Sequence, residues 1–519
     1  MKKSVLSVIL TLLTFGIFAQ QIGDLHPCGT PSYRSKWLKE YQANPAVYET
    51  KDDEILYVPL TIHLLGWDNG TGYFSVPRLL DALCTLNEDF IEADMQFYIQ
   101  GDFNYIANTA WNVHATVQEG AEMMFANNVE NTINCYIVAD PAGNCGYNLP
   151  YAGMAVAKSC ADPADHTWAH EMGHQLALPH PFIGWEGGHS YDGQAISNFS
   201  EPAPDTVYID YTYFQSYYVP IDTLIIDTLL TERLDGSNCT EAADGFCDTA
   251  PDYLAYRWNC NSEAESNVIQ RDPNDETFRS DGTLIMSYAN DACSYRFSPD
   301  QIAAMRANVI DEKPELIAEN QMPGEEIGEV VLSYPVDSVG VGSSGGVLFD
   351  WEDTPGATGY VITVDAVLGS TGVTIKRLES DVSEVFMPDD LIMGQTYRWT
   401  VRAYSGHYFC NEYYAEGLFY GQTILNTEEF IGLTKLTVQP NILTQGTSQL
   451  TVNAEILTDR NLSWTLTDLA GRTTGTGVLV TNGADSFSQR IEVENLLPGV
   501  YFFGISDGTA AAYRRIVVY

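Results

Sequence analysis

Residues 166–180 read HTWAHEMGHQLALPH, and they leave this chain few ways to fold locally. His170, Glu171 and His174 have the spacing of one helical face, where side chains four apart lie about 6 Å from each other. Two imidazoles so placed can grip one ion, and Glu171, one position round the helix, then stands beside that ion. His180 follows six residues after His174. On an unbroken helix it would lie about 9 Å further along the axis, out of reach of the same ion. The chain must therefore stop and fold back, and Leu178-Pro179 supplies the stop, because a residue before proline avoids the α region. A catalytic zinc needs three protein ligands, an open position for water and a nearby carboxylate. The segment offers His170, His174 and His180 as ligands to one Zn²⁺, and Glu171 as general base. With nine His in the chain, a chance His-Glu-x-x-His is expected about 0.01 times, and one further fixed His lowers that to about 0.0002. His166 also lies four residues before His170, but three consecutive turns cannot converge on one ion, so it is read as a surface or supporting group.

The pattern H-E-x-x-H-x-x-G-x-x-H is the metzincin signature, and this segment resembles the pappalysin (cytophagalysin-like) branch of that clan. Residues 281–297, DGTLIMSYANDACSYRF, are similar to its methionine turn, with Met286 as the turn residue and Tyr288 two positions on. FSPDQIAAMR resembles the closing helix, and VPLTIHLL (58–65), LNEDF (86–90), INCYIVAD (133–140) and DTAPD (248–252) resemble earlier family segments in order. The resemblance implies an α+β zincin-like catalytic domain over 54–318 that hydrolyses peptide bonds. Glu171 would take the proton of the attacking water, Tyr288 would donate to the oxyanion, and Met286 would pack beneath the histidines. It also implies a Cys260–Cys293 disulfide. One position departs: the family's Gly is Ala177 here. If that site needs positive φ, Ala costs about 1–2 kcal/mol, so either Ala177 is strained or the break is remodelled around Pro179.

The start, MKKSVLSVILTLLTFGIFAQQ, reads as a secretory signal peptide over 1–19, followed by a short pro-segment or arm over 20–53. No later run approaches 18 continuous apolar residues, so the mature form is expected to lack a transmembrane segment. With 25 basic against 69 acidic residues, net −44, neither nucleic acid nor an anionic membrane suits as partner. Some of the carboxylates are candidates for structural Ca²⁺. The ten cysteines of an exported chain point to disulfides. Setting Cys28 and Cys410 aside leaves an even eight. Cys28, in HPCGTP, resembles the C-G motif of metzincin pro-segments, where a thiolate ligates the zinc. Its two readings are a zinc latch and a plain structural disulfide.

Helical spacing at Val76, Leu79, Leu80, Leu83, Leu86 and Phe90 predicts a helix over 75–95. Residues 205–230 alternate and are tyrosine-rich, which predicts a hairpin insertion, either walling the cleft or packed on the domain side. Beyond 328 the pattern turns all-β. FDWEDTPGATGYVITVD and YRWTVRAYS resemble a fibronectin type III sandwich (328–425), with Trp351 and Tyr360 as core aromatics and Tyr397 as a tyrosine corner. In 432–519, VQPNIL, LTDLAGRTT, NLLPGVYFFGISDG and YRRIVVY resemble the type A sorting domain of type IX secretion substrates, though Gln439 and Ile442 depart from its opening motif. The expectation is thus a zincin-like catalytic domain followed by two β-sandwich domains. Its function is expected to be that of a zinc metalloendopeptidase, secreted or cell-surface, acting on protein or peptide substrates and exported by the type IX secretion machinery. The rival is a surface-displayed binding or adhesion protein with an inactive metzincin domain. A zinc amidase acting on a non-protein substrate is a third.

Overall fold

The computed structural model describes residues 25–30, 33–50, 54–150, 152–186, 199, 201–210, 226–318, 322–343, 346–369, 371–410, 413–422, 433–443, 449–456, 462–469, 472–479, 486–493, 496–506 and 511–518. The expected signal peptide (1–19) and the tyrosine-rich stretch 211–225 lie outside them. The protein is multidomain, with many β-sheets and few helices, and divides into two compact units near residue 422. No helix among the described residues is long and apolar enough to cross a membrane.

The first unit is built on one mixed sheet. Strand β1 (Leu56–Gly66) is buried along all eleven residues, as a central strand covered on both faces must be. Strands β2 (Met95–Ile99), β3 (Asn104–Ala107) and β4 (Ile133–Val138) pair parallel with β1. Strand β5 (Gly146–Leu149) forms the edge, antiparallel to β6 (Gly153–Ala157), which runs parallel to β4. Helix α1 (Lys36–Ala43) precedes this sheet, and α2 (Val76–Asp89) crosses from β1 to β2. The apolar positions read as one face of α2 are its buried residues, and Phe90 is buried just beyond it. Helix α3 (Thr167–Gln175) is buried at every residue and packs against β5 and β6. Helix α4 (Pro299–Asp311) opens with a capping box between Ser298 and Gln301. The hairpin read over 205–230 pairs Thr206–Asp210 with Ile226–Leu230 in antiparallel register.

Two antiparallel sheets follow within the same unit. Leu332–Tyr334, Val347–Trp351 and Glu384–Met387 form one; Tyr414–Gln422, Thr396–Tyr404, Gly359–Leu368 and Thr371–Ser380 run side by side in the other. Trp351, Tyr360, Trp399, Phe349 and Phe419 fill the space between them. The Tyr397 hydroxyl accepts from the Ile392 amide at 2.8 Å, the backbone tie of a tyrosine corner.

This module is not an independent spacer. One core runs from Trp37 and Leu38 of α1 through the mixed sheet to Val361 and Phe409. The buried Arg402 guanidinium reaches Asp81 of α2 and the Phe409 carbonyl. Cys84 and Cys410 are disulfide-bonded, which corrects the count that set Cys410 aside as unpaired. The other bonds are Cys145–Cys160, Cys239–Cys247 and Cys260–Cys293. Cys135, counted among the paired eight, is free. It lies on β4, buried at the centre of the sheet where no second cysteine reaches it. Cys28 is also free, so the disulfide reading of it fails.

The second unit has two further sheets. Leu433–Gln439, Gln449–Ile456 and Ser486–Glu492 make one. Ile442–Leu443, Ala511–Val518, Gly499–Ser506, Leu462–Asp468 and Thr473–Leu479 make the other. Leu436, Trp464, Tyr501, Phe503 and Ile516 share its core.

Candidate metal centre

Helix α3 sets His170 and His174 one turn apart, their rings 4.8 Å from centroid to centroid. The helix then ends in a Schellman motif: the Leu178 amide donates to Gly173 O and the Ala177 amide to His174 O. That motif needs a left-handed residue after the cap, and Ala177 takes it at φ +74°. Of the two alternatives for this position, strain is therefore the one realised. Pro179 follows, the chain folds back, and His180 Nε2 comes to 3.0 Å from both His170 Nε2 and His174 Nε2. Cys28 Sγ lies 3.6 Å from His174 Nε2, and the four donor atoms all lie within 4.8 Å of one another. A tetrahedral zinc with bonds of the usual length separates two nitrogens by about 3.3 Å and a sulfur from a nitrogen by about 3.6 Å. The donor set therefore fits such an ion.

The outer nitrogens define which proton each ring carries. His170 Nδ1 is 2.8 Å from Ile285 O and His174 Nδ1 is 2.7 Å from Leu178 O. A carbonyl only accepts, so both Nδ1 atoms are protonated and both Nε2 lone pairs face inward. His180 Nδ1 meets Glu186 Oε1 at 3.2 Å, and Glu186 is held in turn by the Gly184 amide. Glu186 was missed in the sequence; the signal for it was the need of a third ligand for an acceptor nearby. Burial pushes the His170 pKa down to about 4, and burial with the neighbouring imidazoles pushes His174 and His180 well below the usual range. Neutral imidazole is the form that ligates. Burial, with Glu171 adding, pushes the Cys28 thiol well up; a coordinated cation reverses this, since a ligating thiol is deprotonated.

Glu171 is fully buried beside the centre, and burial raises its pKa to about 8. Gly146 of β5 leaves it room, since a Cβ there would stand 2.7 Å from Glu171 Cγ. Met286 is fully buried under α3, against Gly173, where a side chain would collide with its sulfur. Ser287 donates to Asp252 Oδ2 at 2.7 Å, so the DTAPD loop anchors the turn that carries Met286 and Tyr288. The Tyr288 ring packs 5.0 Å from His180 and 4.5 Å from Phe182, and its hydroxyl donates to Cys28 O at 3.3 Å. His166 turns away from the centre to Asp89, at 2.8 Å.

The arm carrying Cys28 runs along β5 and the loop before it. The His26 amide donates to Gly143 O, Cys145 N to His26 O, and Gly29 N to Gly146 O, in a parallel bridge. At Gly29 a Cβ would stand 2.6 Å from the Asn144 side chain, which would have to shift to admit it. Thr30, which the sequence reading passed over, accepts from the Asn148 amide at 2.8 Å and donates to Glu171 Oε2 at 2.9 Å.

No protein-family model and no curated protein matches the chain. Among solved structures, a mutant promirolysin from Tannerella forsythia is similar over 57% of this chain and 98% of its own, at 14% identity and a TM-score of 0.35. The FN1–FN3 domains of chicken CNTN1 are similar over 37% of this chain and 66% of theirs, at 14% identity and a TM-score of 0.15. At these scores neither likeness carries over a fold or an activity.

Proposed function

We propose that the chain is a secreted zinc metalloendopeptidase of the pappalysin-like metzincin kind, held latent by its own N-terminal arm. The observation that carries the reading is the convergence of three inward-facing Nε2 atoms, at zinc-like separations, beside a buried Glu171. His170, His174 and His180 would hold one Zn²⁺, which when bound acidifies a water and polarises the scissile carbonyl. Glu171, buried beside the three imidazoles, takes the proton of that water and returns it to the leaving amine. Tyr288, whose hydroxyl already donates to a backbone carbonyl in the cleft, would donate to the oxyanion. Glu186, Ile285 O and Leu178 O keep the three imidazoles oriented. Met286 supports α3 from below and takes no part in the chemistry.

Purified protein should carry about one zinc per chain, and His174→Ala should lose most of it. A proteome-derived peptide library should be cut by arm-free protein and spared when a zinc chelator is present. Full zinc in the His174→Ala protein would place the ligands elsewhere.

Two further expectations concern other residues. Glu232, Asp244 and Asp252 are buried carboxylates, and Glu232 Oε2 has no hydrogen-bond partner; burial and the neighbouring carboxylates push Glu232 and Asp244 up. Among the described residues, however, Cys28 with the three histidines is the only group of three or more His, Cys, Asp or Glu donors converging within 4.8 Å, so no Ca²⁺ is assigned to these carboxylates. Residues 432–519 we assign to export through the type IX machinery, on the order of their motifs. A chain ending near residue 430 should then stay in the periplasm of a type IX-secreting cell; normal export of it would remove the assignment.

A further inference from the structure

Away from the metal centre, the loop after β2 and the rim of the adjoining β-sheet module bound a cleft of about 500 Å³. Its walls carry the carboxylates Asp102, Glu379 and Asp381 and the aromatic rings Phe103, Tyr105 and Tyr404, with no Lys, Arg or His. Phe103 and Tyr404 stack at 5.9 Å with 26° between their planes. The Tyr105 hydroxyl donates across the cleft to Glu379 Oε2 at 2.5 Å.

The two walls are tied to each other. The Ile99 amide donates to Gly406 O at 2.8 Å, and a Cβ on Gly406 would stand 2.7 Å from Ile99 O. Cys84–Cys410 ties α2 covalently to the same β-sheet module. The cleft is a built feature of the unit, and its volume lies in the usual range for ligand sites.

The lining chemistry selects the occupant. An anion meets three carboxylates and no cation. A metal ion is also a poor match: among the described residues, the only group of three or more His, Cys, Asp or Glu donors converging within 4.8 Å is the centre at Cys28 and the three histidines. The three carboxylates are thus too far apart to share one small ion. A guanidinium on an apolar stem satisfies both features, since its plane stacks on aromatic faces while its N–H groups reach carboxylates on either side. We propose that this cleft binds an arginine side chain in an extended segment of a protein partner. The site stands independently of the peptidase reading, because none of its residues touches the metal centre.

The test uses the full chain carrying Glu171→Gln, so that a bound peptide is not consumed. The probe is the capped tripeptide Gly-Arg-Gly, titrated calorimetrically beside its citrulline counterpart, which has the same shape and no charge. The arginine peptide should bind and the citrulline peptide should not. Asp102→Asn with Asp381→Asn should weaken arginine binding about tenfold, each carboxylate contact contributing about half of that loss. Both side chains are exposed, so the core is untouched, and removing two charges barely alters a net charge of −44. Non-specific attraction, or binding in the peptidase cleft, would therefore survive the double substitution. Undiminished binding in that variant overturns the proposal, as does equal binding of the two peptides or no binding of either.

Discussion

A Glu171→Gln chain freed of its arm should hydrolyse peptides about 10²- to 10⁴-fold more slowly than the arm-free wild type, with its zinc content unchanged. Glutamine keeps the shape of the side chain in a position that is fully buried, so the substitution removes the proton acceptor and little else. Circular dichroism and metal analysis should be indistinguishable from wild type while turnover collapses. Wild-type turnover would sink the mechanism, and would favour the reading of the chain as a surface-displayed binding protein.

Cys28→Ser in the full-length chain should raise activity at least tenfold over the unprocessed wild type. A metal–thiolate bond contributing more than about 1.4 kcal/mol holds the closed form over the open one by that factor or more. The release should be incomplete, because the arm has further anchors. Thr30 joins Glu171 to the Asn148 amide, and three backbone hydrogen bonds run along β5 and the loop before it. Removing residues 20–53 would take with it α1, whose Trp37, Leu38 and Tyr41 are part of the main core. The cleaner excision therefore ends before Ser35, the residue whose side chain caps α1. Activity in Cys28→Ser equal to that of the unprocessed wild type would show that the thiol does not restrain the site.

Much of the centre was legible in fifteen consecutive residues. The spacing of His170 and His174 is set by helical geometry, and Leu178-Pro179 announces the reversal that His180 needs. These are covalent and short-range constraints, and they hold before any packing is considered. The α2 face, the hairpin over 205–230 and the aromatic core of Trp351 and Tyr360 were legible for the same reason, since periodicity records which side of an element is buried. Whether Ala177 would be strained or avoided was not legible, because the choice depends on where His180 has to arrive.

Tertiary structure decided what distant segments do to one another. Cys28 and Thr30 reach His174 and Glu171 across more than 140 residues of chain. Cys410 finds Cys84 across 326, while Cys135 stays free inside the sheet. The module beyond residue 328 shares a core with the mixed sheet, although its strand pattern reads as that of a separate sandwich. Sequence spacing carries no information about such pairs. A turn or a helix fixes its neighbours through bond geometry, whereas two remote side chains meet only when the whole core between them has packed.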